Sequence, residues 1–99
     1  MNVSENLLLE VSDFYKVLSD FTRFRIVYSL LSGDKCVGEI ERDVNMSQTA
    51  VSYQLKALRN AKLVKSERKG KKIYYSIDDD HVMEIVNIAI EHIRHSEHE

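Results

Sequence analysis

The sequence predicts a mainly α-helical fold that carries one small β-hairpin. Three observations predict it. The 99 residues contain no proline, three glycines and 43% hydrophobic residues, a composition that favours compact helical packing over disorder or a turn-rich sandwich. Apolar residues recur at helical spacing along most of the chain. Two strand-like runs meet around Lys69-Gly70-Lys71. There is no internal repeat, low-complexity tract or linker, so residues 1–99 read as a single domain. A domain of this size buries only part of its surface, and a partner subunit is expected on size alone.

The first helix is placed over Leu7 to Leu18, where Leu7, Leu8, Val11, Phe14, Tyr15 and Leu18 share helical spacing. Asp20 caps a second helix with an apolar face of Phe24, Ile26, Val27, Leu30 and Leu31, which stops at Ser32-Gly33. A short third helix, about Val37 to Asp43, leads through Val44-Asn45-Met46 to Ser47, the N-cap of a longer helix ending near Asn60. Short helix, tight turn and longer helix make a helix-turn-helix. Leu63 to Arg68 and Lys72 to Ile77 then form a hairpin directly behind it, which makes the whole a winged helix-turn-helix. The last helix starts near Asp78 to Asp80 and runs to about Arg94. Cys36 is expected as a small buried apolar residue in a helix; alone it can form neither an internal disulfide nor a thiolate metal site.

Charge is segregated along the chain. The formal net charge is -2, yet from Lys56 to Lys72 eight basic residues face only Glu67, a surplus of seven that leaves -9 for the remainder. Such a block suits a phosphate-binding surface, because acids beyond about one Debye length of ~8–10 Å are screened from it. On the longer helix Ala50, Val51, Leu55 and Leu58 face inward, leaving Ser47, Gln48, Thr49, Ser52, Tyr53 and Lys56 as candidate contacts to a major groove. Arg68, Lys69, Lys71 and Lys72 on the wing need only charge and reach to meet the DNA backbone. The alternative is a solvated lysine-rich hairpin behind an ordinary exposed helix face.

In the last helix His81, Ile85, Ile88, His92 and His95 follow steps of four, three, four and three, a heptad seam. A second stripe, Val82, Val86, Ala89 and Ile93, lies beside it, so that one faces the core and the other a partner. His81 and His92 share a face but stand about 16 Å apart along it. One zinc ion, with bonds of about 2 Å, cannot bridge them within a chain. An antiparallel copy related by a two-fold axis near Val86 would set Asp79 and His81 of one chain beside His92 and His95 of the other, an oxygen and nitrogen set suited to tetrahedral Zn²⁺. Plain alternatives are histidines in a polar tail and Asp79 as a helix cap only. His98 lies outside the seam and is set aside as a ligand.

These residues resemble the ArsR/SmtB family of metal-sensing winged-helix repressors over nearly the whole chain. The likeness rests on Leu18-Ser19-Asp20-Phe21-Thr22-Arg23, Cys36-Val37-Gly38-Glu39-Ile40, Ser47 to Leu55, and Asp79-x-His81 with His92-x-x-His95. Within the family the zinc- and cobalt-responsive efflux repressors are most similar. Phe21 stands where the family usually has proline, and Tyr53 replaces a frequent histidine. The family's other metal site, on the third helix, requires two cysteines; Gly38 occupies the second position, which argues against thiolate sensing of cadmium, lead or arsenic.

The expected function is therefore a transcriptional repressor, not an enzyme: a homodimer that binds double-stranded operator DNA without metal and leaves it on binding zinc or cobalt, switching on efflux genes. A winged-helix regulator without metal control is the competing reading, and a histidine-based zinc buffer a third. A zinc hydrolase is set aside because there is no His-Glu-x-x-His and four ligands leave no open position for water. No apolar run reaches the roughly 20 residues of a membrane span, and the acidic N-terminus lacks a basic signal-peptide start. No small-molecule substrate is implied, and the expected location is cytoplasmic.

Overall fold

The computed structural model describes residues 2–97, so His98 lies outside them. Five helices and three strands follow in the order α1 (Glu5–Ser19), α2 (Phe21–Ser29), β1 (Lys35–Cys36), α3 (Val37–Val44), α4 (Gln48–Asn60), β2 (Val64–Lys69), β3 (Lys72–Ile77) and α5 (Asp80–Glu97). Each helix start has a local chemical cause. Ser4 caps α1 by accepting the Leu7 N–H (3.1 Å), Asp20 caps α2 through Arg23 (3.1 Å), and Ser47 caps α4 through Ala50 (3.2 Å). The predicted second helix is shorter than its apolar pattern, ending at Ser29 and passing into a 3₁₀ turn over Leu30–Ser32. Gly33 closes that turn at φ 137°.

The helix-turn-helix corner is built by Asn45, whose backbone is left-handed at φ 54° and ψ 53°. Its amide returns to the Glu41 carbonyl, as does that of Met46 at 3.3 Å. Arg25 holds the corner from α2 by donating Nη2 to the Val44 carbonyl at 2.8 Å. At the far end of α4 the chain closes a Schellman motif: the Lys62 N–H reaches the Arg59 carbonyl (3.1 Å) and the Leu63 N–H the Leu58 carbonyl (2.9 Å). Lys62 occupies the left-handed position at φ 60°.

The three strands form one antiparallel sheet in the order β1-β3-β2. The hairpin is in register from Val64 opposite Ile77 to Lys69 opposite Lys72, and Gly70 takes the positive φ of 66° in a two-residue turn. Strand β1 was not expected. Cys36, read from sequence as a buried helical residue, is half-buried, pairs with Tyr74 as part of β1, and precedes α3 as its N-cap. Its amide donates to the Glu39 carboxylate (3.1 Å). That bond holds the Glu39 carboxyl below its ordinary pKa, helped by a second bond from the Cys36 side chain.

Leu18, Ile26, Val27, Leu30, Ile40, Val44, Val51, Leu55, Leu58, Leu63, Val64, Ile77, Val82 and Val86 form one continuous buried core. Each such side chain contributes about 1.5–3 kcal/mol by leaving water. The two terminal helices are different. Of the apolar stripe expected on α1 only Leu18 is buried; Leu7, Leu8, Val11 and Tyr15 are exposed. The second α5 stripe divides: Val82 and Val86 enter the core, whereas Ala89 and Ile93 face outward. From Glu91 to Ser96 every side chain of α5 is exposed. An apolar helix that overhangs its own core gains little from tertiary packing, the usual source of helical stability.

Candidate metal centre and nucleic-acid interface

The outer face of α4 carries the expected candidates. Ser47, Gln48, Thr49, Ser52, Tyr53 and Lys56 are all exposed, Tyr53 to 73%. Val51, Leu55 and Leu58 lie beneath them in the core, and Ala50 is half-buried. Ser47 combines two tasks, since its hydroxyl already accepts the Ala50 amide as the helix cap. The N-terminus of a capped helix with no acidic residue in its first turn favours an anionic partner.

The wing bases are unequal. Lys71 and Lys72 are exposed, and Arg68 donates Nε back to the Gly70 carbonyl at 3.3 Å. Lys69 is diverted: its Nζ lies 3.5 Å from Asp34 Oδ2 and 5.5 Å from the centre of the Tyr74 ring. This contact is invisible in the sequence because 35 positions separate its partners. Arg59, also missed, donates Nη1 to Ser66 Oγ at 3.2 Å and so ties the end of α4 to β2.

The proposed metal ligands fall at opposite ends of α5. Asp79 Oδ1 accepts the amides of His81 (2.9 Å) and Val82 (3.2 Å), which caps the helix. The Val82 amide is the main cause holding the Asp79 carboxyl below its ordinary pKa, with His81 adding to it. His81 Nδ1 stands 3.6 Å from Asp79 Oδ1, and the imidazole is 88% exposed. These two side chains are therefore neighbours on one accessible surface.

His92 and His95 are exposed one helical turn apart near the other end. Between the pairs, Ile85 is half-buried and Ile88 is 63% exposed, whereas Val86 faces the core. The sequence placed a two-fold axis near Val86; at that level the residues available to a partner are Ile85 and Ile88. Among the described residues no three His, Cys, Asp or Glu side chains of the single chain gather into a metal-holding group. A groove of about 590 Å³ lies at the Asp79 end of α5: Asp79, His81 and Ile85 line it together with Tyr15 of α1 and Ala61 and Lys62 at the exit of α4.

The comparisons with known proteins agree with this architecture. The family model described as a bacterial regulatory protein of the arsR family matches residues 20–66. The chain is 38% identical over 87 residues to a Staphylococcus aureus cadmium resistance transcriptional regulatory protein, CadC homolog, covering 87% of this chain and 72% of that one. This chain belongs to the ArsR family. It is also 34% identical over 88 residues to a transcriptional repressor SmtB homolog of Synechocystis, covering 89% of this chain and 67% of the relative. The solution structure of the homodimeric winged helix-turn-helix DNA-binding domain Mb0332 of Mycobacterium bovis matches with a TM-score of 0.88 at 28% identity, covering 99% and 94% of the two chains. ArsR membership makes the chain a transcriptional regulator rather than an enzyme. No described helix is long and apolar enough to cross a membrane.

Proposed function

We propose that this ArsR-family regulator is a cytoplasmic, zinc-responsive repressor. Two copies pair through α1 and α5. Without metal the dimer presents its two α4 helices to successive major grooves of a pseudo-palindromic operator. The observation that carries the reading is the layout of α5: an Asp79 and His81 pair and a His92 and His95 pair mark the two ends of one exposed face, with Ile88 between them.

The donor set fits the ion. Three imidazoles and a carboxylate suit four-coordinate zinc, and cobalt is accepted by the same set. Asp79 caps the helix through Oδ1, and its second oxygen takes no part in that cap. Bound there, zinc would supply cross-linking of two helices and no reaction.

Because Asp79 and His81 line the same groove as Lys62, a dimer geometry that brings His92 of a partner to this end of α5 also touches the exit of α4. By linkage, zinc lowers DNA affinity by the same factor that DNA lowers zinc affinity. Derepression of metal-efflux genes follows. The S. aureus relative's cadmium resistance is consistent with metal control of this class, although Gly38 leaves this chain with one cysteine near α3.

A regulator without metal control is the second reading, favoured by the capping role that Asp79 already has. Titration of zinc into operator-bound protein decides between them, with His92→Ala beside the parent. Release of DNA by the parent and its loss in the variant support the zinc reading; equal release, or a stoichiometry far below one ion per chain, overturns it.

A further inference from the structure

We propose that Arg23 is a positioning residue: it fixes the rotation of α4 against the end of α1, so that selective DNA binding depends on a side chain that touches no DNA. The inference rests on the reading of α4 as the helix that reads DNA. Helix α1 ends at Ser19, and its last carbonyls have no helical amide to accept. Ser19 Oγ donates to the Lys16 carbonyl at 2.9 Å, and Arg23 Nε donates to the Val17 carbonyl at 2.8 Å. A guanidinium at that point also meets the negative end of the α1 dipole. Its other arm, Nη1, donates to Gln54 Oε1 in the middle of α4 at 3.3 Å, across 31 positions of sequence. The Arg23 backbone is itself held by Asp20 Oδ2 at 3.1 Å.

One planar side chain thus joins α1, α2 and α4, and its fixed fork sets direction as well as distance. Apart from the Arg59 bond to Ser66 Oγ at its C-terminal end, direction is what α4 otherwise lacks. Its inner contacts are Val51, Leu55 and Leu58, and apolar burial resists separation of a helix but is non-directional. Gln54 is half-buried and follows directly after Ser52 and Tyr53, both exposed, so its anchorage sets where those two point. A shift of α1, which carries part of the exposed apolar surface offered to a second subunit, would reach α4 through this strut.

The test uses full-length protein, the duplex that the parent enriches from a randomised pool, and a scrambled duplex of equal composition. Arg23→Lys cannot span both acceptors, and Gln54→Leu removes one of them while preserving helix propensity. Each is expected to weaken binding to the enriched duplex roughly tenfold, the scale of one charge-assisted hydrogen bond. Binding to the scrambled duplex and the salt dependence should stay unchanged, because no phosphate contact is lost. The double variant should be no weaker than either single one. Unchanged selective affinity or additive losses would each overturn the strut. If the parent enriches no duplex, the DNA reading itself fails, and the strut with it.

Discussion

Asp34 Oδ2 stands 3.5 Å from Lys69 Nζ, so an acid in the loop before β1 holds a base at the tip of the wing. Both side chains are half exposed, and an exposed pair of this kind stabilises the fold by about 0–1 kcal/mol. Its larger effect is on charge available to DNA. Asp34→Asn is expected to raise DNA affinity several-fold at low salt and to steepen the plot of log affinity against log salt by up to about 0.9, the contribution of one added phosphate contact. Fluorescence anisotropy across a salt series reads both. An unchanged slope would show that Lys69 does not meet phosphate.

Lys62 holds a left-handed backbone at the C-terminus of α4, with the paired hydrogen bonds of a Schellman motif around it. Glycine adopts that conformation without Cβ crowding, at a difference of about 1 kcal/mol. Lys62→Gly should therefore raise the thermal midpoint by about 4–8 °C for a domain of this size. A lower midpoint would mean that the exposed lysine stem contributes more packing than the strain it costs.

Glu39 gives the fold a defined acid sensitivity. Its carboxyl pKa is lowered chiefly by the Cys36 amide, so the folded state binds that proton less readily than the unfolded chain. The resulting stability is complete above the ordinary carboxylate pKa and disappears as pH falls through the lowered one. Glu39→Gln removes this titration. The gap in thermal midpoint between parent and variant should be widest near neutrality and close on acidification; a constant gap would assign the effect to packing.

Much of this architecture is written in local sequence. Ser47 and Asp20 announce their helices because capping chemistry acts over three residues, and Gly70 marks the wing because its turn needs a positive φ. Strand β1 was hidden because two residues carry no periodicity, and its pairing with Tyr74 and Tyr75 lies far along the chain. The same distance concealed the bonds of Arg23 to Gln54 and of Lys69 to Asp34. Periodicity found both stripes of α5 but could not tell which would enter the core: Val82 and Val86 do, whereas Ala89 and Ile93 share a spacing with them and overhang it. The histidine pairs were legible as a shared face. In the proposed zinc reading their joining needs a second chain, and periodicity within one chain does not describe that.

Ile88 is the most exposed large hydrophobic residue of α5 and lies between the two histidine pairs. Ile88→Glu should leave the core intact and turn dimer into monomer in sedimentation velocity, since like charges would meet at a two-fold axis. Zinc stoichiometry should fall with it. A variant that stays dimeric would move the interface away from this face.

Mixed dimers give the sharpest test of a site shared between chains. His81→Ala removes a ligand from one end of α5 and His92→Ala from the other, so each variant alone spoils both sites of its own dimer. When the two are mixed and allowed to exchange subunits, one site of every heterodimer loses both histidines, and the other regains all four ligands. Random pairing makes half the dimers heterodimers, so the mixture should bind about one zinc ion per four chains at parental affinity, although neither variant does so alone. A site contained within one chain cannot be repaired in this way, because no chain in the mixture carries both histidines. Cobalt absorption offers a direct readout, as tetrahedral coordination is restored only where the ligand set is complete. Failure of the mixture to regain a site, with subunit exchange confirmed, would remove the cross-chain assignment and leave a winged-helix regulator under some other control.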